Sequence, residues 1–455
     1  MAEPLLRVGL LSHRVTAEVT LRGPFGITAD GQALDRVAAP GRWRAVATRR
    51  GVRLLDPEHR CVAEGGVVAL APSTPDAVFV AHDMTVGIRF HWQRQEDLAF
   101  QGLLRLESRG DVFDVVNEVA LETYLTGVVA SEMNPLAPRA LLEAHAVISR
   151  SWIVAQLEAR RSGTSRHGPA RTFEETETTV RVVRWYDRED HEDFDVCADD
   201  HCQRYQGVDR AAVAGNAVFD AVAATRGVVL VSEGHVCDAR FSKCCGGMTE
   251  VFSTAWGDLD LPYLQAVPDL APGPVPWALP LTEEAHARAF VTGRPPAFCA
   301  TQDVGLLARI LPPLDHETRA FYRWEEILSQ EELRAFTQRR TGVDPGPVRA
   351  LRPLVRGPSG RIALLAVDGE ARRVEVGREL EIRRLLSRTH LFSSAFVVEP
   401  DRQGPVPDRF RLRGAGWGHG VGLCQVGAGV MAEQGYATEA ILAHYYRGAR
   451  LRTDW

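Results

Sequence analysis

The chain has 455 residues, 45% hydrophobic and 25% charged, a globular balance that allows one elaborated domain or two to three smaller ones. A net charge of -6 with a pI near 6.2, without runs of Lys or Arg, excludes the electrostatic footprint of a nucleic-acid binder, and no nucleic acid is expected as a partner. No stretch approaches the roughly 18 apolar residues of a membrane span, and the opening "MAEPLLRVGLLSHR" shows no charged region followed by an apolar one, so no signal peptide is visible.

Residues 5 to about 110 consist of short β-branched or alternating runs broken by Gly and Pro, such as "RVGLLSHRVTAEVTLRG" and "AVFVAHDMTVGIRFHW". They predict β structure without catalytic groups, a structural or docking module. A short apolar segment then leads to Glu132, and Pro135 and Pro138 precede a predicted helix from about Arg139 to Arg160. Leu141, His145, Ile148 and Trp152 repeat there at helical spacing, as do Leu142, Ala146, Ser149, Ile153 and Leu157, which implies burial on most sides. Residues 161 to 195 are polar and read as an exposed excursion. Residues 270 to 296 are Pro-rich, and 281 to 340 look helical and charged. "SGRIALLAVDGEARRVEVG" has a hairpin pattern, and the tail is a Gly-rich loop followed by two short helices. The fold class expected is α+β: a β-rich N-terminal region, 1–104, followed by a mixed domain, 105–455.

Four stretches could carry chemistry. In "GVVASEMNPLAP", Glu132 is either a carboxylate capping the following helix or a general acid. Val128, Val129 and Met133 would desolvate it and keep its proton available. Arg150, farther along the helix, would bind a substrate oxygen or pair with an acid. In "HEDFDVCADDHCQRYQG", His191, Cys197 and Cys202 form a zinc-like donor set with an open fourth position, and His201 is an alternative ligand. A Cys197–Cys202 disulfide and buried free thiols compete with that reading. In "DARFSKCCGGMTE", Ser242 and Lys243 form only a weak nucleophile–base match, while Gly246 and Gly247 suggest a tight turn or close backbone approach. In "GAGWGHGVGLCQVGAGVMAEQG" the phosphate-loop reading fails for want of Gly-Lys-Ser/Thr. Trp417 offers a stacking face for a sugar there, and His419 and Gln425 offer hydrogen bonds.

In this order, "NEVALETYLTGVVASEM", "AVISRSW", "HCQRYQG", "TRGVVLVSEGHVCDARFSKCCGGMTE", "YLQAVPD", "SGRIALLAVDG" and "GWGHGVGLCQVGAGVMAEQG" resemble the family of stage II sporulation protein D and the amidase enhancer LytB over about three quarters of the chain. The resemblance implies a mixed catalytic domain with a substrate groove and a lytic transglycosylase activity on peptidoglycan glycan strands. Glu132 would be the sole catalytic carboxyl, giving its proton to the leaving oxygen and then deprotonating the sugar's own 6-hydroxyl, to leave a 1,6-anhydromuramoyl end. Arg150, Ser242, Gly246, Gly247, His419 and Gln425 match the family's other motif positions, and Trp417 stands among them.

The resemblance implies structural zinc in some members, here on His191, Cys197 and Cys202, although the chemistry requires no cofactor. It also implies an extracytoplasmic protein whose partners are glycan strands and other cell-wall hydrolases, with a non-catalytic amidase enhancer as the alternative. There are departures. His145 stands where Gln is usual, Lys243-Cys244-Cys245 where Thr-Ser is common, and Cys424 where Ser is frequent, while 281–340 looks like an insertion.

Overall fold

Alternating buried and half-exposed side chains, as in Thr16–Arg22 and Phe25–Ala29, give the N-terminal part strands with one face for a core. The computed structural model describes residues 2–88, 92–162, 171–184, 191–213, 215–317, 320–401 and 404–455. It divides into two units: Met1–Leu136 with Arg188–Val228 and Thr453–Trp455, and Ala137–Asp187 with Val229–Arg452.

The first unit holds a seven-stranded and a six-stranded sheet. They pack on one another, with Gly51–Leu55 of the smaller sheet against Val67–Pro72 and Leu103–Ser108 of the larger, and Val19, Leu21, Leu54, Phe79, Leu104 and Leu106 are all nearly or wholly inaccessible to solvent. In the larger sheet, Leu5–Arg14 pairs antiparallel with Phe113–Ala120 and, at its other edge, parallel with Val196–Cys197. Phe113–Ala120 runs directly into a helix, Leu121–Glu132, in which every residue except Thr123 is buried. This helix is the apolar segment that precedes Glu132, and its lack of a polar face hides the usual amphipathic signature.

The second unit contains the predicted long helix, over Arg139–Ser162, and a five-stranded sheet built around the predicted hairpin of Ile362–Gly369 and Arg373–Gly377. Residues 171–184 depart from the exposed excursion expected there. Arg171–Glu175 and Thr179–Arg184 form a hairpin whose second strand joins Arg373–Gly377 in parallel. The alternation of Val180 and Val182, both buried, is the signal that the surrounding charge obscures.

The stretch 281–340 holds the helices Glu284–Thr292, Val304–Ile310 and Gln330–Thr341, but also a strand, Arg323–Ser329, paired antiparallel with Arg409–Ala415. Ser329 and Glu332 form a reciprocal cap on the last of these helices, and Gly342 ends it in the left-handed region. The tail has its two helices, Gln425–Glu433 and Thr438–Tyr445. Among the described residues no helix is long and apolar enough to cross a membrane.

Candidate functional site

Glu132 is the last residue of the Leu121–Glu132 helix. The reading of it as an N-terminal cap for the next helix therefore does not hold. It stands at the negative end of its own helix, where the backbone disfavours a carboxylate, so capping does not account for an acid at this position. Glu132 is 7% exposed, and its Oε1 accepts a hydrogen bond from the Arg204 amide at 3.1 Å.

The strip Gln203–Gln206, from "HCQRYQG", fastens to this helix end. The Gln206 amide donates to Ser131 Oγ at 3.0 Å, and Ser131 Oγ donates to the Gly127 carbonyl at 2.6 Å. Tyr205 is wholly buried, and its hydroxyl donates to Asn117 Oδ1 at 2.8 Å. Its ring packs on Tyr124 and Phe100 with centroids 4.8 and 5.1 Å apart. Gly127 is what admits that ring, because a Cβ there would come within 2.6 Å of it.

One residue before the strip is the His/Cys loop. Donor atoms of His191, Cys197, His201 and Cys202 all lie within 4.8 Å of one another. His191 Nε2 is 3.2 Å from His201 Nδ1, which is 3.5 Å from Cys202 Sγ. His201 thus stands with the three predicted ligands, and the position expected to be open has a protein donor beside it. Two thiols and two imidazoles are a donor set that suits zinc in a closed, structural site. Burial opposes a charge on Cys202, yet hydrogen bonds from Cys197 and both imidazoles carry its thiol well below the ordinary range. Cys197 goes up through its bond to Cys202 and through burial. The backbone of the loop is tied to Leu5–Arg14: the Asp195 amide donates to the Arg7 carbonyl and the Ala198 amide to the Gly9 carbonyl. These ties make the loop a brace for the strip that holds Glu132.

In the second unit, Phe241–Ser242 pairs with Leu423–Cys424, and Cys244 bridges to Trp417, so the two predicted glycine motifs meet. Gly420 and Gly422 are left-handed, at φ 76° and 72°. A Cβ would strike the Arg361 guanidinium at 2.3 Å in the first case and the Arg240 carbonyl at 1.9 Å in the second. At these two positions the close approach is to the protein's own groups.

Arg361 has no exposed surface. It donates to the Gly418 carbonyl at 3.3 Å and to the Cys245 carbonyl at 3.1 Å, clamping one motif to the other. Its only sequence signal is a charge at the start of an apolar strand. Arg240, also unanticipated, is paired with Asp238 at 2.7 Å and lies 4.5 Å over the Trp256 ring. Trp256 in turn packs at 4.7 Å against His419. Burial, then the charges of Arg240, Arg361 and Arg383, hold His419 well below the usual imidazole range, so it is neutral at neutral pH. Its Nδ1 accepts from the Val421 amide at 3.1 Å, which leaves the proton on Nε2.

Trp417 packs against Phe392 and Phe321. Ser242 Oγ is buried with no hydrogen-bond partner among the described residues. Lys243 Nζ is held by Asp315 at 2.5 Å, which weakens the reading of it as a base for Ser242. Gly246 and Gly247 turn the chain at φ 81° and 109°. Gln425 is 1% exposed, and its Nε2 is 3.1 Å from His145 Nε2. Arg150, one turn along the same helix from Ala146, donates to that residue's carbonyl and has no exposed surface.

Residues 109–231, which include Glu132 and the His/Cys loop, match the family model described as stage II sporulation protein. Residues 250–422 match one described as a domain of unknown function (DUF8618). The chain is 25% identical over 337 residues to stage II sporulation protein D of Bacillus amyloliquefaciens, covering 73% of this chain and 74% of that one. To the protein of the same name from Bacillus subtilis (strain 168) it is 23% identical over 336 residues, 74% and 75% of the two chains. To the amidase enhancer of Bacillus subtilis (strain 168) it is 24% identical over 240 residues, 51% of this chain and 32% of that one. The class is thus that of proteins with a stage II sporulation domain. Within it, the chain is similar to stage II sporulation protein D over about three quarters of its length and to the amidase enhancer over about half.

Proposed function

We propose that this protein is an extracytoplasmic lytic transglycosylase that cuts peptidoglycan glycan strands between N-acetylmuramic acid and N-acetylglucosamine. Glu132 serves as general acid and then as base. The observation that carries this reading is a carboxyl buried at a helix C-terminus, with one oxygen held by the Arg204 amide. It ends its helix, and the Arg204 amide fixes one of its oxygens in orientation. Hydrolysis by water normally uses two flanking carboxyl groups. Attack by the sugar's own 6-hydroxyl needs one, because the carboxylate left after protonating the leaving oxygen can take the hydroxyl proton.

The 1,6-anhydro end follows from that internal attack. A metal on His191, Cys197, His201 and Cys202 would order the loop next to the strip, and no step passes through it. In the second unit, the neutral His419 and the aromatic face of Trp417 are the groups proposed to touch sugar. Arg150, Ser242, Gly246, Gly247 and Gln425 complete the proposed substrate-binding set.

A non-catalytic enhancer of a separate N-acetylmuramoyl-L-alanine amidase is the second reading, favoured by the likeness to the amidase enhancer. Incubating purified glycan strands with this protein alone separates the two. Soluble fragments released by the wild type and not by a folded Glu132→Gln variant support the enzyme. No glycan fragments from either protein, together with faster release of stem peptides from whole peptidoglycan by an added amidase, equally with both proteins, support the enhancer.

A further inference from the structure

Four further cysteines meet in the interior of the second unit, away from the His/Cys loop in sequence. Cys245 follows the Ser242 strand, Cys424 precedes the Gln425–Glu433 helix, and Cys299 lies in the short helical turn Phe298–Ala300 of the stretch that looks like an insertion. Donor atoms of Cys245, Cys299, Cys424 and Asp269 all lie within 4.8 Å of one another, and all four residues are buried. The Cys244 thiol also lies within hydrogen-bonding reach of the Cys299 and Cys424 thiols. We propose that Cys245, Cys299, Cys424 and Asp269 bind one zinc ion in a closed, structural site, separate from the site on the His/Cys loop and independent of the chemistry assigned to Glu132.

Geometry supports a single ion. Cys245 and Cys299 sulfurs are 3.6 Å apart, close to the edge of about 3.8 Å expected for a tetrahedron with zinc–sulfur bonds of about 2.3 Å. A [4Fe–4S] cluster attaches each cysteine to a separate iron, and a [2Fe–2S] cluster holds two ligand pairs on two irons, so either would spread the four donors more widely than the 4.8 Å found here. The surroundings are built for anionic sulfur. Cys424 Sγ accepts from the Cys245 amide at 3.2 Å and the Gly427 amide at 3.4 Å, at the positive end of a nine-residue helix.

Asp269 has no exposed surface. It is oriented by the Tyr445 hydroxyl at 2.6 Å and the Cys299 amide at 2.9 Å, and no Lys, Arg or His among the described residues forms an ion pair with it. A buried carboxylate of this kind calls for a cation. Three thiolates and a carboxylate around a dication leave excess negative charge. The guanidinium groups of Arg361, on the Cys245 carbonyl, and Arg323, on the Gly246 carbonyl at 2.9 Å, stand beside it to offset that charge.

The departures from the family pattern at 245 and 424 thus fall in one place, together with a cysteine that the 281–340 stretch supplies. On binding, each thiol releases its proton to solvent. The ion would join both glycine motifs to that stretch.

The test is elemental analysis of the protein purified under reducing conditions without chelator. The expected result is two zinc ions per chain, falling to one in Cys299→Ser and to one in Cys202→Ser. An unchanged zinc content in folded Cys299→Ser overturns the proposal. So does a Cys245–Cys299 disulfide found by mass spectrometry of the metal-free native protein. Should Cys299→Ser fail to fold, zinc-edge X-ray absorption on the unmutated protein decides. The proposal predicts an average of about 2.5 sulfurs per zinc for two such sites, against 2 for a lone two-His, two-Cys site.

Discussion

Gly127→Ala sets two effects against each other, and the structure decides which wins. Gly127 lies inside the Leu121–Glu132 helix, where alanine alone would stabilise by about 1 kcal/mol. The added Cβ would stand 2.6 and 2.8 Å from two ring atoms of Tyr205 and 3.2 Å from the Gly207 carbonyl. The ring would have to retreat by about 1 Å to reach ordinary contact. Tyr124 and Phe100 pack against the ring and limit its retreat, and its hydroxyl is committed to Asn117.

Overpacking of a closed core costs about 1–3 kcal/mol, and a lost buried hydroxyl bond adds about 1. The net expectation is a destabilisation of about 1–3 kcal/mol despite the better helix former. In a unit of this size that lowers the melting temperature by about 2–12 °C. Because Arg204 precedes Tyr205, the displaced strip also loosens its amide from Glu132, and glycan cleavage should fall further than stability does. Thermal unfolding, with cleavage measured well below the melting point, checks both. A variant that melts above wild type and cleaves normally refutes the account of the strip as a rigid support for Glu132.

Three other outcomes follow. Burial, then the Lys243 charge, holds His145 down to about 3, whereas the unfolded chain takes up that proton near pH 6.5. Stability is therefore full above about pH 6.5 and falls as pH drops towards 3, by up to about 1.4 kcal/mol per pH unit from this group; urea unfolding of His145→Gln should show a shallower decline. Asp315→Asn leaves Lys243, whose side chain is 7% exposed, without its anion and should cost about 3–5 kcal/mol, while the Lys243→Met, Asp315→Leu pair recovers most of it in the same assay. Removing the zinc proposed for the His/Cys loop with a chelator should speed hydrogen exchange at the Arg204 and Gln206 amides, and unchanged exchange would separate the loop from the strip.

Much of the fold was legible because its periods are plain. The β runs before 110, the helix from Arg139 and the hairpin at Ile362–Gly377 all declare themselves by spacing. Leu121–Glu132 did not, since a helix buried on nearly every side shows no polar stripe, and so Glu132 was placed in a junction instead of at a helix end. The strand Arg323–Ser329 was masked by flanking charged helices and by a partner, Arg409–Ala415, some eighty residues away.

At the site, Glu132 and the glycine motifs stood out by residue type. Arg361 did not, because apart from the nearby Ser359 hydroxyl its acceptors are carbonyls in two loops distant in sequence. The Cys245, Asp269, Cys299 and Cys424 grouping was invisible for the same reason: spacing along the chain reports ligands that share one loop, as His191 to Cys202 do, and is silent about those that tertiary structure assembles.

The central claim is that Glu132 drives an internal attack by the sugar. Mass spectrometry of the ends formed when the wild type and Glu132→Gln digest purified glycan strands tests it most directly. The account predicts fragments lighter by one water than hydrolytic products, with anhydromuramoyl ends, from the wild type, and none from the folded variant. Fragments with ordinary reducing ends, or anhydro ends made equally well by Glu132→Gln, would contradict it.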